Sequence, residues 1–337
     1  MSEKCSQDTE KKTTRIGFVI AGEIVLTKVE ENETTTALAF RHRYEGPFFR
    51  RLMLAGIRHM PRWLQRATMP VWGALFYALI GRARRAAMHN LKVLLGLQTA
   101  SSLWNLHKQG LALFRSYAQM ITDTYQTYMG LPLRLELEEI GKTPKLLSLI
   151  RENGAIMATG HIGMWQVGPF LSGWKDLPPL YVARAEEPNP MTQKWEERFQ
   201  QKLRIIYTNA SPFSALSLTK VLREKAVVGM QIDRVLGEHF HWVRICDNWA
   251  RFPIGPALIA RMCKVPLIPS FFMLRKDGGA ERLVHHVGPA VFVSQSEDRD
   301  TAVRAATEQL ASVYEQIVKQ YPTQFFQFFD FFSSVKE

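Results

Sequence analysis

Six short strand-like runs alternate with stretches of helical spacing between Arg134 and Leu274. They are Arg134 to Glu138, Ala155 to Thr159, Leu180 to Arg184, Arg204 to Thr208, Ala226 to Ile232 and Pro266 to Leu274. Strands joined through helical crossovers pair mostly in parallel and bury both faces, so the pattern predicts an α/β fold. The expected architecture is a central, mostly parallel or mixed sheet flanked by helices, with a basic helical N-terminal region and a C-terminal helix from about Arg299 to Tyr321. Upstream, Phe48 to Met129 has helical spacing punctuated at Pro61, Pro70 and near Gly96. Residues 1–14 read as a polar tail, and 15–40 alternate enough for a small hairpin turning across Glu30-Glu31-Asn32-Glu33. Three regions follow: a tail and hairpin over 1–40, a basic helical region over 41–133, and an α/β core over 134–337 that ends in an aromatic helix.

Within this frame the run Ala155-Ile156-Met157-Ala158-Thr159 reads as a buried strand bounded by glycines, and His161 stands just past its end. The following segment, WQVGPFLSG, is able to open a helix. A histidine at a strand-to-helix corner lies at the carboxyl edge of a sheet, where α/β proteins place their ligands. Two roles suit it: a general base working near neutral pH, or a hydrogen-bonded residue shaping a tight turn.

Charge is concentrated in one place. From Arg41 to Arg115 there are 13 lysines and arginines against one acid, Glu45, an excess equal to the net charge of the whole chain, +12. Phe48, Phe49, Trp63, Trp72, Phe76 and Tyr77 lie among these cations. Such a block suits an anionic membrane surface or an acidic protein, and nucleic acid shares the attraction. No nucleic-acid motif accompanies the charge, so nucleic acid is not an expected partner. The uncharged stretch Thr68 to Gly81 has 14 residues, short of the about 20 that cross a bilayer core. Ile16 to Gly22 is too brief, and too soon cut by Glu23, to read as a signal peptide. The expectation is a protein lying on a membrane. Cys5, Cys246 and Cys263 have no metal spacing and cannot all pair, which favours a reducing compartment. His239 and His241 have no clustered acidic or cysteine partners, so no metal or other cofactor is expected.

Several ordered segments resemble the bacterial lipid A biosynthesis acyltransferases, the lauroyl and myristoyl transferase group of the lysophospholipid acyltransferase superfamily. His161-Ile-Gly-Met-Trp-Gln166 is similar to that family's histidine box, usually His-Phe-Gly-Asn-Trp-Glu. Tyr181-Val-Ala-Arg184 with Asn189-Pro190 resembles its Tyr-Arg and Asn-Pro segment, and Gly229 to Gly237, with Asp233, its Asp-Gln-Asp stretch. Arg251-Phe-Pro253-Ile-Gly255-Pro256 resembles its Thr-Pro-Thr-Gly-Pro helix start, and Val265-Pro266-Leu-Ile-Pro269 its Ala-Pro-Val-Val-Pro strand. Pro322-Thr-Gln324 is similar to its terminal Pro-x-Gln, and Asn90-Leu91 falls where the family has Asn-Leu. The likeness covers roughly Phe48 to Phe332.

The resemblance implies transfer of a fatty acyl chain from acyl carrier protein, or less readily coenzyme A, to a hydroxyl or amine of a membrane glycolipid such as a lipid A precursor. It implies a peripheral position on the cytoplasmic face of a bacterial inner membrane. His161 would be the base and Gln166 its orienting neighbour, in place of the family's carboxylate. An amide accepts the ring N–H but brings no charge, and Asp233 or Glu238 would have to supply it. Arg184, Asp233 and Arg251 are the implied substrate-binding residues. Arg184 would clamp a phosphate or sugar, or else pair with Glu186 or Glu187. Asp233, lacking the second family aspartate, reads more readily as a structural turn carboxylate. Arg251 and the Gly255-Pro256 corner would meet an anion, or simply start a helix. The paired phenylalanines from Phe325 to Phe332 would stack on one helical face, as core or as an acyl groove. The other reading is a noncatalytic lipid- or carrier-binding protein that keeps the fold.

Overall fold

The computed structural model describes residues 15–20, 23–28, 47–97, 103–131, 133, 135–167, 177–184, 204–208, 214–235, 237–277 and 280–333. Two compact units divide the chain, residues 1–46 and 47–337. In the first, β1 (Arg15–Ile20) and β2 (Glu23–Lys28) form an antiparallel hairpin with Ile20 opposite Glu23. The hairpin therefore closes between Ile20 and Glu23, and the expected turn across Glu30 to Glu33 lies outside the described residues.

The second unit opens with four helices: α1 (Pro47–His59), α2 (Arg62–Leu79), α3 (Gly81–Leu94) and α4 (Leu103–Tyr128). Pro61 precedes α2 and Gly96 follows α3, as expected, but Pro70 is accommodated inside α2. The core follows as β3 (Glu136–Ile140), α5 (Pro144–Asn153), β4 (Ala155–Thr159), β5 (Leu180–Arg184), β6 (Arg204–Tyr207), α6 (Ser214–Arg223) and β7 (Val227–Gln231). It continues through β8 (Phe240–Ile245), β9 (Asn248–Pro253), α7 (Gly255–Cys263), β10 (Leu267–Asp277), β11 (Ala280–Val287) and α8 (Arg299–Gln320).

Seven strands form one sheet in the order β3-β11-β10-β4-β7-β5-β6. The five from β10 to β6 run parallel, while β11 returns antiparallel to β10 and carries β3 parallel to itself. The α/β class and mostly parallel sheet are as expected. The ribbon β8–β9 and the strand β11 were not. Their sequences mix charged and aromatic residues, which hides the strand period.

β4 explains why its run is continuously apolar. Ile156 and Ala158 enter a core shared with Ala302, Leu310 and Tyr314 of α8, whereas Ala155 and Met157 face Leu146 and Ile150 of α5. Both faces are covered, so neither tolerates a polar residue. A third cluster joins Leu91, Leu113 and Met120 of the N-terminal helices to Met164, Val167, Phe272 and Phe326. The helices thus pack directly against the turn that follows β4.

The C-terminal aromatic segment is not a helix. After α8 one 3₁₀ turn, Pro322–Gln324, leads into an extended strap whose backbone bridges Ile162 at Phe325 and Trp249 at Ser333. Those partners, together with Asn90, satisfy the strap's polar groups from outside and remove the need for a helical ladder. Phe325, Phe326, Phe331 and Phe332 are buried, so the segment is core. The helix opening expected over 165–173 lies, from 168 onward, outside the described residues.

Candidate active site

β4 and β7 are adjacent and parallel, with Thr159 level with Gln231. Two residues beyond that level, at the carboxyl edge of the sheet, stand His161 and Asp233. His161 Nδ1 lies 2.8 Å from Asp233 Oδ1, and the His161 backbone N–H donates to Asp233 Oδ2. Asp233 Oδ2 also accepts from Tyr314 O–H at 2.9 Å and from Gln327 Nε2 at 2.6 Å. Gln327 is held in turn by Arg234 Nε, 3.3 Å from its Oε1, and by Asn90 Nδ2, 3.0 Å from its carbonyl oxygen.

Asp233 has no exposed side-chain surface. Burial alone would raise its pKa, but the His161 ring, its hydrogen bonds and the Arg234 charge outweigh burial and hold the carboxyl below the ordinary aspartate value. Asp233 is therefore ionised, and an ionised carboxylate only accepts. The Nδ1 of a neutral His161 must carry the proton, which leaves the basic lone pair on Nε2. Tyr314, wholly buried against this carboxylate, is pushed well above the ordinary tyrosine value by burial and the adjacent charge, so it remains a donor.

The turn itself depends on two glycines. Gly163 has φ +56°, and a Cβ there would meet the Phe272 carbonyl oxygen at 2.1 Å. A Cβ on Gly160 would meet Tyr314 Cε2 at 2.6 Å and Asp233 Oδ2 at 2.7 Å. The strap closes the turn from the other side: Gly163 N–H donates to Gln324 O at 3.0 Å, and Phe326 N–H to His161 O at 3.2 Å. Gln324 in turn pairs both ends of its amide with the Leu274 backbone, at 2.7 and 2.9 Å. Trp165 tilts against the imidazole with ring centroids 5.4 Å apart. The His161 side chain keeps 11% exposure. Beside Gly163 and Met164 lies a cavity of about 300 Å³, walled by Met120, Leu274 and Phe326 on its apolar side and by Gln119 and Lys276 on its polar side.

Among the described residues no hydrogen bond joins Gln166 to the His161 ring. Gln166 is half-buried on the same turn, and the side chain that does bond the ring is Asp233. Asp233 is thus brought to the site, but all its bonding capacity is directed inward to protein groups, not outward to a substrate. Glu238 is exposed and outside this network. Arg184 ends β5 at the same edge of the sheet, two strands from β4, and its expected partners Glu186 and Glu187 lie outside the described residues. Arg251 lies on β9 with its guanidinium over the Phe240 and Trp242 rings at 5.6 and 5.8 Å. The described contacts do not bring it to His161. His239 and His241 join no metal-holding cluster among the described residues.

Tyr314 and Gln327 were not foreseen as site residues. The signals were present: Gln327 is the one polar residue inside Phe325-Phe326-Gln327-Phe328-Phe329, and Tyr314 shares its helical face with Leu310, Ile317 and Val318. A second buried polar pair, Ser270 Oγ and His285 Nε2 at 2.9 Å, lies in the β10–β11 hairpin with the His285 ring stacked on Phe272. Burial, only partly offset by Glu139, pushes His285 down to about 4.

The arginine block divides in the same way. Arg66 grips buried Asp123 through both carboxylate oxygens at 2.9 Å and also meets Glu281, tying α2 to α4 and β11. Arg84 lies over the Tyr77 ring and bonds its carbonyl oxygen. Arg82, Arg85 and Lys92 face outward.

A family model described as bacterial lipid A biosynthesis acyltransferase matches residues 35–333. Among solved structures, the 1-acyl-sn-glycerophosphate (LPA) acyltransferase PlsC from Thermotoga maritima is similar over 76% of this chain and 98% of that one, at 9% identity and a TM-score of 0.37. That likeness is too loose to bear on the reaction. No curated protein sequence matches the chain.

Proposed function

The chain belongs to the bacterial lipid A biosynthesis acyltransferase family, and from that premise we propose that it moves a fatty acyl chain from a thioester to a hydroxyl or amine of a glycolipid. The donor is acyl carrier protein, with coenzyme A the lesser alternative, and the acceptor is a lipid A precursor or a related amphiphile. The observation that carries this reading is the hydrogen bond between His161 Nδ1 and the buried, ionised Asp233. It leaves Nε2 as the base.

In the reaction, His161 Nε2 takes the proton of the acceptor O–H or N–H as that atom attacks the thioester carbonyl. Asp233 stabilises the imidazolium as its charge develops. The tetrahedral intermediate collapses with cleavage of the C–S bond, and the imidazolium returns its proton to the departing thiolate. Gln166 lacks the charge for this work, and Asp233 provides it from the neighbouring strand. Arg184, on the same sheet edge, is assigned to a phosphate or sugar of the acceptor or to the oxyanion. The cavity beside Gly163 is part apolar and part polar, but His161 and Asp233 are not among its walls, so the reacting groups are not assigned to it.

Attachment is peripheral in this reading, at the cytoplasmic face of a bacterial inner membrane. No helix among the described residues is long and apolar enough to cross a membrane. The outer face of α2 nonetheless exposes Trp63 (71%), Val71 (66%), Leu75 and Leu79 (59%) with no charged residue from Thr68 to Gly81. Such a face favours burial at the level of the lipid headgroups. The buried carboxylate bonded to the imidazole favours this reading over a noncatalytic binder. The test is incubation of the purified protein and of His161→Ala with radiolabelled acyl carrier protein and total membrane lipid. Labelled lipid with the parent and none with the variant supports the reading, and transfer undiminished by the variant overturns the assignment of His161.

A further inference from the structure

Within the longest acid-free stretch of the chain, residues 46–122, the helices α2 and α3 present chemically distinct outer faces. That of α2 is apolar. That of α3 is basic: Arg82, Arg85, His89 and Lys92 are its exposed side chains, while Ala83, Ala86, Ala87, Asn90, Leu91 and Leu94 are buried. At 100° per residue the four fall within an arc of about 80°, in a stripe about 15 Å long. Among the described residues Arg82, Arg85 and Lys92 form no ion pair, unlike Arg66 on α2.

We infer that this α3 stripe is the docking surface for an acidic protein that carries the acyl thioester. The inference rests on the acyl-transfer reading above. Three features favour this occupant. The stripe offers only charge and imidazole, with no apolar side chain to insert between lipids, and the adjacent α2 face supplies that instead. A second copy of a chain with net charge +12 is repelled by it. The inner face of the same helix reaches the site: Asn90 Nδ2 donates to the carbonyl oxygens of Gln327 and Phe329 at 3.0 and 2.8 Å, and Gln327 touches Asp233. A carrier on the outer face therefore stands about one helix diameter, roughly 10 Å, from the strap that supports the histidine pair. A flexible thioester arm spans such a distance. Charge complementarity of this kind raises the association rate and depends steeply on salt.

The test uses the full chain and its triple variant Arg82→Glu, Arg85→Glu, Lys92→Glu. Binding of purified holo-acyl carrier protein is followed by fluorescence anisotropy across a salt series, and flotation is followed with phosphatidylethanolamine–phosphatidylglycerol vesicles. The variant is expected to bind the carrier more weakly by about 10-fold or more at low salt, with a flatter salt dependence, and still to float with vesicles. Unchanged carrier affinity overturns the inference. So does loss of flotation with carrier affinity intact, which would assign the stripe to lipid headgroups. Because binding is read without turnover, a protein that docks the carrier through this stripe yet transfers no acyl group would retain the surface and refute the reaction. Transfer from the carrier that the variant leaves untouched would do the reverse.

Discussion

Asp233→Asn isolates the charge of the proposed catalytic pair while keeping its shape. The carboxylate now serves four donors: the His161 ring on Oδ1 at 2.8 Å, and on Oδ2 the His161 amide, Tyr314 at 2.9 Å and Gln327 at 2.6 Å. An asparagine offers one oxygen and an NH₂ that only donates. With its NH₂ in the Oδ2 cluster, it would oppose three donors, at about 1–3 kcal/mol for each group left unsatisfied. With its oxygen there, the NH₂ faces Nδ1, and the imidazole must accept at Nδ1 and carry its proton on Nε2. The second arrangement is less costly, and it caps the base. Replacing an orienting carboxylate by an amide in this way lowers turnover by about 10⁴, equivalent to about 5.4 kcal/mol. Initial rates of acyl transfer would measure the loss, long-range ¹⁵N–¹H spectra of labelled histidine would locate the ring proton, and urea unfolding would show the fold retained. A variant within about tenfold of the parent rate, or one whose ring proton stays on Nδ1, would refute the reasoning.

Further outcomes follow from the same contacts. Gln166→Glu should leave turnover near that of the parent, since Gln166 does not bond the ring; a collapse in rate would show the pocket depends on the amide. Gly160→Ala should destabilise the fold by about 1–3 kcal/mol and suppress transfer, because its Cβ would stand 2.7 Å from Asp233 Oδ2 and 2.6 Å from the Tyr314 ring. Urea melts and initial rates check both effects. His285, lowered in the fold to about 4, binds protons more readily when unfolded, so stability falls as pH drops from about 6.5 towards 4, by an amount of order 3 kcal/mol. Urea unfolding at pH 7 and pH 4.5 should show this dependence, and His285→Gln should flatten it. Asp233 has the opposite sign: its lowered pKa contributes stability above the unfolded value near 3.8 that is lost only as pH falls through the folded value. It stays ionised throughout the working range, so no limb of the rate profile of the parent should follow an aspartate titration.

Part of the site was legible in the chain. His161 was recognisable because it follows an apolar run too short for a helix and hemmed by glycines. Asp233 was marked by its place in a motif, as a turn carboxylate or as one of two candidates to charge the histidine, and the fold sets it against the His161 ring. A separation of 72 residues hides the contact. Asn90 and Gln324 were also marked by resemblance, and their work proves to be the holding of the strap against α3 and β10. The phenylalanine pairs misled in the other direction, since a repeat every three residues satisfies a helical period whether or not the backbone is helical. Pro322 and the outside partners of the strap decided against the helix.

Local order alone therefore determined the α/β class, the positions of β4, β5 and β7, and the corner that presents the imidazole, because buried strands and helix starts are written in short-range apolar spacing and glycine placement. Which carboxylate answers that imidazole, and which polar residues hold it ionised, was decided only when β7 paired beside β4 and the C-terminal strap crossed both. Hydrogen bonds across a sheet obey the register of strands far apart in sequence, and no window along the chain contains that register.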